Sequence, residues 1–297
     1  MANLLHRLVE KKLLCPPPWL ADSVQYVTIM GSQAYGVSDD SSDMDLYGFC
    51  IPEKHLVFPH LAGEIHGFGR QLQRFEQYQQ HHVNDTDAGK EYDVTIFSIT
   101  KYFQLCMENN PNMIDSLFTP QNAILHASPI AQMVRDRRRM FLHKGAWHKF
   151  KGYAYSQVHK MRSKENPESL KRQALVEQFG YDVKFAYHVV RLINEVEQIL
   201  TEGDLDLQRN REQLKAIRRG EWTQEQIYGY FETKERELEK AYTESKLPHS
   251  PDETAIKQLL VDCLEHHYGD LSSAVVIPDE ATQTLRAIAE LCKKAGF

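Results

Sequence analysis

The spacing of apolar positions changes period partway along the chain. Before about residue 125 short β-branched and aromatic runs dominate; beyond it apolar residues return every three or four positions. Val24 to Met30 (VQYVTIM) ends at Gly31 and predicts a buried strand. Met44 to Ile51 (MDLYGFCI), closed by Pro52, predicts a second. Tyr92 to Ile99 alternates Tyr92, Val94 and Ile96 against Asp93, Thr95 and Phe97, which predicts a third strand with two unlike faces. Gln71 to Val83 predicts one more, joined to the third by the polar turn NDTDAGK. Thr100 to Asn109 has helical spacing, with Thr100 placed to cap it, and stops before Pro111.

From about residue 126 the strand signals vanish. Segments 129–142, 146–163, 168–201, 207–219, 223–245, 253–268 and 279–295 read as helices, punctuated by Gly145, Pro167, Gly203, Gly220, Pro248, Pro251 and Pro278. The expected architecture is α+β: a small mixed sheet with helices over 1–125, then a mainly helical domain over 126–297.

Composition adds exclusions. The chain has 297 residues, 42% of them hydrophobic, and 35 Lys plus Arg against 41 Asp plus Glu give a net charge of −6. A protein basic throughout, built to coat nucleic acid, is excluded. No apolar run reaches the roughly 18–20 residues of a membrane helix. The opening MANLLHRLVEKKLLCPPPW is amphipathic, and its charges interrupt any signal-peptide core. Cys15, Cys50, Cys106, Cys263 and Cys292 include no C-x-x-C pair, so reduced thiols and a cytoplasmic location are expected.

The charge is unevenly spread. Arg135 to Arg172 holds twelve basic residues against three acidic ones, a local +9 set against −15 for the remainder. Trp147, Phe150, Tyr153 and Tyr155 are interleaved, the mixture that tracks phosphates and stacks bases. Arg137, Arg138, Arg139, Lys160 and Arg162 are the RNA contacts this pattern predicts. The same pattern suits two helices with core-facing aromatics and solubilising charges.

The candidate chemistry lies in GSQAYGVSDDSSDMDL, residues 31–46. Gly31 and Ser32 stand where the first strand ends, where backbone N–H groups can approach an anion. Asp43 and Asp45, two apart, project from one face of the second strand, and Asp93 lies within the third. Alone, an Asp-x-Asp is commonly a solvated edge and a Gly-Ser a turn. Three carboxylates held on neighbouring strands, however, repel unless protonated or bound to cations. Hard divalent ions with oxygen ligands answer that need, and two Mg²⁺ (or Mn²⁺) ions are the general device for nucleotidyl transfer. Further on, Lys184, His188, Arg191 and Glu195 share one helical face among apolar neighbours, and Lys184, His188 and Arg191 are expected phosphate contacts. His81-His82 and Glu265-His266-His267 lack a ligand frame such as H-E-x-x-H and read as surface or packing. No G-x-x-x-x-G-K-[ST] or K-x-D-G motif occurs, against a P-loop ATPase and against lysyl-AMP chemistry.

With Asp93 following, G-S-x(10)-D-x-D resembles the DNA polymerase beta-type nucleotidyltransferase superfamily. The strings GSQAYGVSDDSSDMDLYGFCIP, YDVTIFSITKYFQLCMENNPNMIDSLF and YDVKFAYHVVRLINEVEQIL resemble its RNA-repair branch, in order, over about residues 20–200. The resemblance implies a palm-like mixed sheet. It implies that Asp43 and Asp45 ligate both metals and that Asp93 completes the site of the ion activating the incoming hydroxyl. Gly31 and Ser32, with Ser42 nearby, would bind the nucleotide phosphates. The implied reaction is Mg²⁺-dependent transfer of an NMP from an NTP, ATP among the candidates, to an acceptor hydroxyl with release of pyrophosphate. An RNA end, in particular damaged or cleaved tRNA, is the preferred acceptor; a protein hydroxyl, or a module that binds without turnover, are the alternatives. Residues 60–90 are longer and more polar than the family pattern leads one to expect.

Overall fold

A computed structural model describes residues 4–38, 43–69, 71, 73–162, 170–269 and 288. The strands are β1 (Val24–Ile29), β2 (Met44–Cys50), β3 (Gln77–Asp85), β4 (Lys90–Ser98) and β5 (Ile124–Ala127), in the spatial order β3-β4-β2-β1-β5. The helices are α1 (Leu4–Glu10), α2 (Leu20–Ser23), α3 (Gly31–Ala34), α4 (Lys54–Val57), α5 (Ile99–Met107), α6 (Pro111–Phe118), α7 (Pro129–Asp136), α8 (Ala146–Arg162), α9 (Leu170–Phe179), α10 (Val183–Glu202), α11 (Arg211–Arg218), α12 (Gln224–Glu244) and α13 (Glu253–Tyr268). The fold is α+β with a mixed sheet, as expected. Among the described residues no helix is long and apolar enough to cross a membrane.

Among the described strands β2 and β4 are the one parallel pair, aligned Asp45 opposite Asp93 and Leu46 opposite Val94; the other pairs run antiparallel. Because side chains alternate, this register sorts the sheet into two faces. On one, Val27, Ile29, Leu46, Val94 and Ile96 bury against Leu5 and Leu8 of α1. The other carries Asp45 and Asp93 at one end and Tyr26, Phe49 and Phe97 at the other. Those aromatics enter a core that continues without a break through Phe103, Trp147, Phe150, Ile193, Phe231 and Leu259. Helix α10 lies at its centre, packed against α8, α11 and α12.

Several boundaries differ from the sequence reading. Ser98, not Thr100, caps α5: its backbone is extended and its hydroxyl accepts from Lys101 N–H at 3.2 Å. Pro111 begins α6 instead of only ending its predecessor, since a first-turn proline lacks just the N–H that a helix start leaves unpaired, and Asn110 caps that start. β5 went unread because a four-residue edge strand is too short to show a period. The segment 168–201 is two helices, with Gly180 in the left-handed region between them and Asp182 accepting from Lys184 N–H at 2.8 Å. Likewise 129–142 is α7 followed by a 3₁₀ turn over Arg138–Phe141. Of the helix expected over 279–295 only residue 288 is described, and Ser42 lies outside the described residues.

Candidate active site

The site is built where β1 hands over to α3. Met30 N–H donates to the Asp45 carbonyl at 2.7 Å, which holds the turn against β2. Gly31 follows with φ +64°, and a Cβ there would stand 2.1 Å from Asp45 Oδ2. The space a side chain would fill is therefore occupied by the carboxylate, and only glycine meets both conditions. Gly31→Ala should cut transfer at least about tenfold by displacing Asp45. Steady-state rates on a variant with an unchanged circular dichroism spectrum check this.

Asp45 is partly buried and faces Asp93 across the parallel pair; Asp43, one residue before β2, is exposed. Burial, reinforced by Asp93 and then Asp43, raises the Asp45 carboxyl from 3.8 to about 6, opposed by Lys184 and His81. Farther along the same face, burial and the charges of Asp45 and Asp93 push the Tyr47 hydroxyl up to about 12. The sheet therefore holds a pair of mutually repelling carboxylates half out of water, a state that a hard cation relieves. Among the described residues no three His, Cys, Asp or Glu side chains converge at metal-binding spacing. The fit to a divalent ion thus rests on the oxygen chemistry of Asp45 and Asp93 and on their repulsion, with Asp43 beside them.

The helical wall supplies cations, but not all those expected. Lys184 is exposed and acts on Asp45. His188, half-buried one turn on, is held neutral: burial lowers its pKa well down, helped by Arg191, Arg172, Lys184 and Arg218. Arg172 and Lys160 both lie over the Phe185 ring, at 4.3 and 5.7 Å, which brings α8, α9 and α10 together. Arg218 donates to the Val37 carbonyl at 2.6 Å, and Gln208 donates to that of Ala34 at 3.1 Å, clamping the segment that follows Gly31 and Ser32.

Arg191 departs from the phosphate-contact expectation. Its guanidinium is buried and bonded to Asp115 at 2.5 Å and to both oxygens of Glu195 at 2.9 Å. It holds α10 to α6, and Tyr35, donating to Asp115 at 2.8 Å, ties the end of α3 into the same cluster. The run Arg137–Arg139 is engaged within the chain. Arg137 pairs with Asp262 at 3.3 Å, Arg139 pairs with Asp204, and Arg138 lies 5.0 Å over the Phe118 ring while donating to the Arg135 carbonyl. Lys151 is taken by Glu235 and Glu239. Acids from the last third of the chain thus pair with three of the twelve basic residues in the +9 stretch. Of its aromatics, Trp147 and Phe150 are core, whereas Tyr153 and Tyr155 remain exposed. Lys160 and Arg162 are exposed at the end of α8, with Arg162 5.0 Å over Tyr228.

Sequence reasoning passed over His81, whose Nδ1 lies 3.4 Å from Asp93 Oδ1, and over Arg218. Nothing in their own neighbourhood marks them: pairing of β3 with β4 places the one, and packing of α11 the other.

The mixed sheet sets two facing carboxylates beside a glycine turn, with Lys184 on the helical side acting on one of them. The family follows from the sequence as a whole. The chain belongs to the RNA repair pathway DNA polymerase beta family (RlaP), whose pattern it matches over residues 5–262. A solved nucleotidyltransferase-like protein from Exiguobacterium sibiricum 255-15 is 9% identical over 98% of this chain and 90% of that one, with a TM-score of 0.28, too low to support an argument. No curated protein matches the chain.

Proposed function

We propose that the protein transfers a nucleoside monophosphate from an NTP to the hydroxyl of an RNA end in RNA repair, in the cytoplasm, with two Mg²⁺ or Mn²⁺ ions held by Asp43, Asp45 and Asp93. The observation that carries this reading is the Asp45–Asp93 pair packed against Gly31. When bound, the ions lower the pKa of the attacking hydroxyl and neutralise the departing pyrophosphate. The acceptor oxygen bonds to the α-phosphorus as the bond from that phosphorus to the bridging oxygen of pyrophosphate breaks, in line and without a covalent enzyme intermediate.

The chain's own residues divide the remaining work. The sheet carries the carboxylates, and the helices that follow it carry most of the cations. Gly31 and Ser32 approach the leaving phosphates with backbone N–H groups, and Lys184 offers them a compact positive charge. His188, neutral, donates one hydrogen bond without adding charge. Arg172 and Arg218 add to the positive field, and Lys160 and Arg162 extend it along α8 for the RNA backbone.

The decisive experiment incubates the purified protein with Mg²⁺ and α-labelled NTPs, one at a time, against a tRNA pool with intact and cleaved ends. Label in RNA supports the reading. Label in protein instead supports AMP transfer to a protein hydroxyl, and NTP binding with no pyrophosphate release supports a module without turnover.

A second contrast tests the reassigned cations. Joint Lys160→Ala and Arg162→Ala should weaken RNA binding and lower its salt slope by about 1 to 2. Joint Arg137→Ala and Arg139→Ala should leave that slope unchanged, because both guanidinium groups already face carboxylates. Fluorescence anisotropy over a salt series measures both.

A further inference from the structure

The strand beside Asp93 carries an irregularity that the proposed chemistry leaves unused. Between β3 and β4, Gln80 faces Val94 and Val83 faces Tyr92, so the two residues His81 and His82 oppose the single residue Asp93. His82 has φ +55°, a left-handed conformation costly for any residue with a Cβ. Its backbone N–H, freed from the ladder by the extra residue, donates to Asp93 Oδ1 at 2.8 Å. The His81 ring lies against the same oxygen with Nδ1 at 3.4 Å, and Gln79 bonds its other nitrogen at 2.6 Å. Across the hairpin the His82 ring pairs with Glu91 at 2.6 Å, fastening the bulge from its exposed side.

Each of these features has one consequence. A regular ladder would turn the residue opposite Asp93 to meet it side chain to side chain. The bulge instead presents the His82 N–H and the His81 imidazole, both to Oδ1. That oxygen is thereby fixed, the carboxylate is held in one rotamer, and Oδ2 keeps its lone pairs. We propose that the His81–His82 bulge is a positioning device for Asp93, orienting its carboxylate for a divalent cation held jointly with Asp45. His81 and His82 act through Asp93 and are positioning residues. This inference rests on the metal-ion reading above.

The test is Mn²⁺ binding to the full chain, by isothermal titration and by electron paramagnetic resonance of free Mn²⁺, with no nucleotide or RNA present. His81→Ala removes the ring. His82→Val keeps an N–H but cannot hold a left-handed φ, whereas His82→Gly holds that φ and keeps the N–H. Thermal melts establish that each variant is folded. His81→Ala and His82→Val should weaken Mn²⁺ binding about tenfold or more, the usual effect of losing a partner that orients a ligand, and His82→Gly, which keeps the N–H and the left-handed φ but loses the Glu91 pair, should weaken it less than His82→Val. Folded His81→Ala and His82→Val proteins that bind Mn²⁺ undiminished would overturn the proposal while leaving the metal-ion reading intact. An unaltered protein that binds no Mn²⁺ overturns both.

Discussion

Asp45→Asn is expected to abolish nucleotidyl transfer while making the metal-free protein more stable. The two effects share one cause. Asp45 sits partly buried and opposite Asp93, and its carboxyl is raised from 3.8 to about 6 by burial first and then by Asp93 and Asp43. A carboxylate whose folded pKa lies above its unfolded one contributes nothing at low pH. It destabilises the fold increasingly as pH rises through the interval from about 4 to 6, and by a constant amount above that. The full penalty is up to about 3 kcal/mol. Asparagine has the same shape without the charge, so the stability difference between variant and parent should be near zero at pH 4 and favour the variant at pH 7.5. Activity should fall at least about a thousandfold, equivalent to about 4 kcal/mol of transition-state stabilisation. Urea unfolding at the two pH values, with chelator present, and single-turnover transfer assays measure the two halves. Retained activity would remove Asp45 from the site, and lower stability at pH 7.5 would refute the account of its repulsion.

Arg191→Met has the opposite profile. It should destabilise the protein by about 3–5 kcal/mol at pH 7.5, because it strands Asp115 and Glu195 in the core without their shared guanidinium. Burial already pushes both carboxyls up despite Arg191, so protonation offers the variant an escape as pH falls, and the loss should be smaller at pH 5. The triple variant Arg191→Met, Asp115→Asn, Glu195→Gln should recover most of the stability, since no buried charge is left unpaired. Chemical denaturation of the three proteins at both pH values decides the point. A stable Arg191→Met protein with a raised KM for NTP would return Arg191 to the phosphate-binding role its position on α10 first suggested. Because Tyr35 bonds Asp115, loosening this cluster should also loosen the end of α3, next to Gly31 and Ser32.

The acidic site was legible in the sequence because its signal is local. Gly31 follows the first strand, and Asp45 lies in the next, two residues after Asp43. Asp93 was legible for the same reason, set in a run whose apolar residues alternate away from it. The cations were not, because a Lys or Arg reads alike whether it faces solvent, phosphate or a distant carboxylate. Arg137 meets Asp262 and Arg139 meets Asp204, partners 125 and 65 residues away. Arg191 shares a helical stripe with Lys184 and His188 but reaches the buried Asp115, a partner that no helical period displays.

The sequence by itself determined the class of fold, the Asp43-x-Asp45 spacing and the glycine before it, because strand periodicity and the steric freedom of glycine act over a few residues. Only the tertiary structure decided which basic residues pair with distant acids of the chain. Charge pairing is settled by elements brought together across the core. The same holds for His81 and His82: their bulge exists only in the register between β3 and β4, and neither strand states that register alone.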